Sequence, residues 1–173
     1  MKRIVPATAL AALIALLLPA TPSFATDYQP DVYIKHYRND SFHGRNVYTP
    51  SDPLSMQTAK TVIGMGETGI FKTKLQNDGV VDAADYVMFG CGGNRRFGVR
   101  YAEPDGTNVT MKVKNGTYQA PVKDIDEISN LLFIGIKAKS RADHGDMFRC
   151  KLKATSEVDP TYVDKVRAQV RVG

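Results

Sequence analysis

The chain has no tryptophan, only two cysteines and only three histidines. Each scarcity excludes something. Without tryptophan there is no indole to pack on a core disulfide in the manner of antibody domains. Cys91 and Cys150, with His36, His43 and His144, match no zinc-site spacing. A Gly-x-Ser-x-Gly elbow, a phosphate loop and a His-Glu-x-x-His helix are all missing. Gly90-Cys91-Gly92-Gly93 is glycine-rich but enters another strand. It lacks the helix N-terminus that holds phosphate, and reads as a bulge or loop. Asp78, Asp82 and Asp85 surround a turn, yet they lack calcium-loop spacing and a closing bidentate glutamate, so they read as a solvated turn. Nothing selects two of the acids as a pair for glycoside hydrolysis. The expectation is a protein with no catalytic residue, no metal and no cofactor.

Long apolar runs are also scarce after the first residues. Met1-Lys2-Arg3 precedes a short apolar stretch that ends Leu16-Leu17-Leu18. Ser23-Phe24-Ala25 then supplies a small-x-small site. This is the architecture of a signal peptide over 1–25, with the mature chain beginning at Thr26. The apolar stretch falls short of the roughly 20 residues that span a bilayer, although an uncleaved anchor is the alternative. No later segment has transmembrane character. The expected location is secreted or at the cell surface. Formal net charge is +5, and removal of Lys2 and Arg3 lowers it by two, which is mildly basic and no nucleic-acid signature. Two cysteines in an exported chain predict one disulfide, Cys91–Cys150, against two buried free thiols.

Residues 26–60 are rich in Asp, Asn, Pro, Ser and Tyr and read as a loop-rich N-terminal arm with one or two strands. Residues 61–173 alternate with period two. Phe71, Thr73 and Leu75 share a face, as do Val87, Phe89 and Cys91. Phe97, Val99 and Tyr101 form another set, as do Leu132, Ile134 and Ile136. Phe148, Cys150, Leu152 and Ala154 precede Val166, Ala168, Val170 and Val172. Thr110-Met111-Lys112-Val113 reads as a further short strand ended by Asn115-Gly116, and 124–130 as a helical turn at most. Seven or eight short strands separated by turn signals predict an all-β, immunoglobulin-like antiparallel β-sandwich. In that order both cysteines point inward from neighbouring strands of one sheet.

Gln29-Pro30-Asp31-Val32-Tyr33-Ile34-Lys35, Gly44-Arg45-Asn46-Val47-Tyr48 and Lys74-Leu75-Gln76-Asn77-Asp78-Gly79 carry a resemblance. So do Gly98-Val99-Arg100-Tyr101 and Asp164-Lys165-Val166-Arg167-Ala168. Together they resemble the CARDB type, the cell-adhesion-related immunoglobulin-like domain of exported bacterial proteins. The resemblance implies a sandwich with an adhesion or assembly role and no catalytic residues.

Two surfaces are candidates for that role. Arg149, Lys151 and Lys153 on one predicted strand, and Lys165, Arg167 and Arg171 on the last, lie on one face if the two strands pair. Arg95, Arg96 and Arg100 are placed on the same sheet. Like charges set opposite each other are costly, so this face suggests a polyanionic partner: acidic polysaccharide, lipopolysaccharide phosphate or extracellular DNA. Solubility and edge protection are the plainer explanation. The second candidate is Val32-Tyr33-Ile34 in the arm. It either docks on its own domain or adds as an assembly strand to another copy or another envelope protein.

Overall fold

A computed structural model describes residues 29–48, 55–80, 84–122, 124 and 128–173. The expected signal peptide, Tyr28, Asp82 and the turn at 49–53 lie outside the described residues. The elements are β1 (Pro30–His36), a 3-10 turn (Ser55–Gln57), β2 (Thr58–Ile63), β3 (Thr68–Asn77), β4 (Ala84–Gly90), β5 (Phe97–Ala102), α1 (Thr110–Asn115), β6 (Tyr118–Val122), β7 (Ile128–Ala138), β8 (Met147–Ser156) and β9 (Val163–Val172). They form an immunoglobulin-like β-sandwich. One sheet has four strands in the order β1-β3-β7-β5, the other five in the order β2-β9-β8-β4-β6. Neighbours are antiparallel except β2 and β9, which run parallel.

Period-two alternation builds the core. Phe71 and Leu75 of β3, Ile134 and Ile136 of β7, Leu152 and Ala154 of β8, and Val166, Ala168, Val170 and Val172 of β9 are all fully buried. A bulge interrupts β3–β7 pairing between Lys72 and Lys74. The Thr73 hydroxyl fills in for the lost ladder, accepting from Leu132 N at 3.1 Å and donating to Leu132 O at 2.9 Å. The extra residue lets Leu131 and Leu132 both turn inward.

Four readings need correction. Nine strands stand among the described residues against the seven or eight expected of the sandwich; the arm's one or two expected strands are β1 and the start of β2, which runs past residue 60, and both join the sheets. Thr110–Val113 is not a strand but the start of α1. Only Val113 of that helix is buried, and Gly116 takes the left-handed conformation (φ 67°) that ends it, its N–H donating to Lys112 O and Val113 O. The Asn-Gly pair is therefore a helix stop rather than a hairpin turn. Residues 128–130 belong to β7, not to a helical turn. Finally, β4 is flipped by one residue. Tyr86, Met88 and Gly90 face the core, while Phe89 is 49 % exposed. Tyr86 can be buried because its hydroxyl donates to Asn77 Oδ1 at 2.8 Å.

The cysteines form the expected bridge, Cys91–Cys150, with Cα atoms 5.4 Å apart. It joins the end of β4 to β8, neighbours in the five-stranded sheet. Cys91 sits just past the strand, and its N–H donates to Lys151 O at 3.2 Å. Tyr101, from the other sheet, lays its buried hydroxyl over the bridge, 3.0 Å from Cys150 Sγ and donating to Cys91 O at 3.1 Å. Gly90 leaves room for it: a Cβ there would lie 2.3 Å from the Tyr101 oxygen. The bridge closes a loop of 59 residues. Replacing both cysteines by alanine is expected to cost about 2–5 kcal/mol in urea unfolding. A loss below about 0.5 kcal/mol would show that the bridge contributes nothing to the fold.

Candidate functional site

The outward face of the five-stranded sheet is assembled by register. Along β8 and β9, Lys153 lies opposite Lys165, Lys151 opposite Arg167, Arg149 opposite Gln169 and Met147 opposite Arg171. Two pairs of like charge are thus set side by side. Parallel pairing of β2 extends the rows, placing Lys60 beside Gln169 and Val62 beside Arg171. Lys60 is exposed and joins the six expected cations. It was hidden from sequence reading because it lies in the stretch taken for an arm, and only the β2–β9 pairing brings it here. Arg149 Nε donates to Gln169 Oε1 at 3.2 Å, and Lys153 Nζ lies 6.0 Å from the Phe89 ring centroid. Asp85 and Glu157 stand together at one end, where Glu157 N donates to Asp85 O at 3.1 Å.

Other expected groups lie elsewhere. Arg100 belongs to β5, in the opposite sheet. Arg96 precedes β5 and pairs with Asp143 at 3.8 Å and, more closely, with Asp146. His36 packs edge-on against Phe71, with ring centroids 5.8 Å apart, and burial lowers its pKa, followed by the nearby Arg38 charge. His144 is exposed in a turn. Among the described residues, no group of three or more His, Cys, Asp or Glu side chains is arranged to hold a metal ion. No helix among them is long and apolar enough to cross a membrane.

Val32-Tyr33-Ile34, the candidate assembly strand, is taken up at home. β1 pairs with β3 from Pro30↔Asn77 to His36↔Phe71. The edge that would receive a foreign strand is also used. Ile34 N donates to His43 O at 2.9 Å, and Val32 N donates to the Asp164 carboxylate at 2.7 Å. Asp164 is fully buried at the start of β9. It also accepts from Gln57 Nε2 at 2.9 Å and Lys165 N at 2.7 Å. Beside it, buried Asp31 accepts from Asn46 N at 2.8 Å. The Tyr33 hydroxyl bonds to Gln76 Oε1 and that of Tyr48 to Asp78. A seam of acids, tyrosines and amides thus fastens the N-terminal segment over the open edge between the sheets.

No protein-family model matches the chain, and no curated protein sequence matches it. Among solved structures, the N-terminal domain of PorA superposes with a TM-score of 0.48 at 12% identity, over 82% of this chain and 96% of that one. A CARDB domain from Pyrococcus furiosus, solved with di-metal ions, gives 0.38 at 11% identity, over 87% and 93%. A type I cohesin–dockerin complex from Clostridium thermocellum gives 0.38 at 10% identity, over 84% and 99%. The chain has a β-sandwich architecture of this broad kind, and nothing about its role is taken from these likenesses.

Burial pushes the Asp164 carboxyl up to about 8 and that of Asp31 up to about 6, against the N–H groups that pull both down. Both values lie above the ordinary 3.8. The folded chain therefore keeps protons that the unfolded chain releases, and this contribution is greatest below about 4 and fades as pH rises through the folded pKa. Asp31→Asn is expected to gain stability relative to the wild type between about pH 4 and pH 7, read from urea midpoints. A difference that is flat or of opposite slope would show that Asp31 ionises normally.

Proposed function

We propose that the chain is an exported, non-catalytic β-sandwich that works at the cell surface or outside the cell by adhesion, holding an anionic polymer against its five-stranded sheet. The observation that carries this reading is the cross-strand register, which sets Lys151 beside Arg167 and Lys153 beside Lys165. Like charges directly opposite each other destabilise a sheet, and solubility alone does not require that arrangement. With Arg149, Lys60 and Arg171 they make a two-dimensional array. Its spacing is set by strands about 4.8 Å apart and outward side chains about 7 Å apart along each strand. A flexible acidic polysaccharide can lie across such an array, and it is the partner proposed. Lipopolysaccharide phosphate and extracellular DNA share the chemistry.

The assembly reading loses support, because Val32, Tyr33 and Ile34 are committed to β1 and the outward amides of Val32 and Ile34 have acceptors within the chain. The resemblance to adhesion-related modules supports the exported, non-catalytic reading at the level of architecture only.

Binding that neutralises several charges releases counterions and is steeply salt-dependent. The chain is therefore expected to be retained on a sulfated-polysaccharide resin and eluted by salt. Arg149→Glu/Lys151→Glu/Lys153→Glu is expected to elute at much lower salt while remaining folded. Equal elution of the two proteins would overturn the reading. Elution from DNA and from lipopolysaccharide columns ranks the three polyanions.

A further inference from the structure

The geometry points to a second binding site, on the four-stranded sheet, for a small amphiphilic anion: an apolar body carrying one acidic group. The N-terminal loop covers only part of that sheet's outer face. Phe42 lies over the β1–β3 side, with Lys35 Nζ 5.0 Å and Lys74 Nζ 4.9 Å from its ring centroid. Among the described residues the β3–β7–β5 side is uncovered and holds a groove of about 780 Å³, within the range of small-molecule sites.

Register builds the groove in three rows. In the middle row Gly135 lies between Ile70 and Arg100. Tyr37 extends the row beyond Ile70, to whose carbonyl its N–H donates at 2.8 Å. On one side Lys137 lies between Thr68 and Gly98, and on the other Phe133 lies between Lys72 and Ala102. Gly135 and Gly98 carry no side chains, so the floor dips at both. The dip at Gly135 is not forced by crowding: a Cβ there would meet only Thr68 Cγ2 at 3.5 Å and Arg100 O at 3.8 Å, ordinary contacts. Glycine in a strand interior lowers strand stability, and here what it leaves is open floor.

The walls supply an apolar surface with more cations than acids. Tyr37 is 53% exposed and Ile70 40% exposed. Lys72 Nζ stands 4.8 Å from the Tyr37 ring centroid and 5.5 Å from that of Phe133, which orders both rings along one side. Arg100 and Lys137 line the groove, and Glu103 is the one acid lining it. Glu103 is hydrogen-bonded to the Tyr118 hydroxyl, outside the groove lining. The balance is cationic, which complements a ligand with a single carboxylate, sulfonate or phosphate. This site lies on the opposite sheet from the cation array and does not depend on that reading.

The test uses the full chain and two fluorescent probes with similar aromatic bodies, 8-anilinonaphthalene-1-sulfonate and the uncharged N-phenyl-1-naphthylamine. The sulfonate is expected to bind saturably at one site, at least about tenfold tighter than the uncharged probe. Gly135→Val, which fills the floor, is expected to weaken the sulfonate by about tenfold or more, with an unfolding midpoint equal to or above the wild type because valine favours strands. Arg100→Gln/Lys137→Gln is expected to remove the preference for the charged probe. Arg149→Glu/Lys151→Glu/Lys153→Glu is expected to bind both probes as the wild type does. No saturable binding, unchanged binding in Gly135→Val, or loss of binding in the variant of the other sheet would each overturn the site.

Discussion

The buried carboxylate of Asp164 joins the two sheets where a sandwich is otherwise open. It begins β9 in the five-stranded sheet and accepts the Val32 amide of β1 in the four-stranded one, with the Gln57 side chain bonded to its other oxygen. An amide at a sheet edge needs an acceptor or water, and here the acceptor is a side chain of the opposite sheet. Gln57 in turn donates to Val47 O at 2.6 Å, so the loop that follows β1 is held by the same group. A carboxyl group so buried is costly to ionise, which makes the seam a point of pH sensitivity as well as of closure. Once β1 is fastened this way, it is not a spare strand at that edge, and the binding surfaces proposed above are the faces of the sheets.

Those faces differ. One presents an array of lysine and arginine in rows fixed by β8, β9 and β2. The other is half covered by the loop carrying Phe42 and Tyr48, and half open over glycines and exposed apolar side chains. The two are built by opposite means. On the basic face Lys60, Arg149, Lys151 and Arg171 are exposed, while Lys153, Lys165 and Arg167 are half-buried. The groove owes its shape to side chains that are missing. Neither needs moving parts, and the disulfide between the end of β4 and β8 holds one strand of the array against its neighbour.

Much of this was legible in the sequence. Strands with uniform aliphatic alternation, such as Val166 to Val172, declare both their existence and their inward face. The common outward face of Arg149, Lys151 and Lys153 follows from the same periodicity, and the disulfide from two cysteines in a chain read as exported. The misreadings have physical causes. In β4, Tyr86 and Gly90 look like outward or turn residues, yet Asn77 satisfies the tyrosine hydroxyl and Tyr101 needs the space at Gly90. In α1, four residues of apparent alternation are too few to separate a strand from one helical turn, and Gly116 decides for the helix. The alternation of Asp31 to Lys35 marks β1, but its partners lie far away in sequence, Asp164 for Val32 and β9 for the Lys60 of β2. The same non-local pairing explains why Lys60 and the groove's three rows were invisible until the register was known.

The most direct test of this account is amide hydrogen exchange at Val32 in the full chain. If Asp164 fastens β1 to its own domain, the Val32 amide is protected to the same degree as buried amides of β9 such as that of Val166. Exchange at the rate of an unstructured amide would show that β1 is not held at home, and would return the N-terminal segment to the role of a strand available to partners.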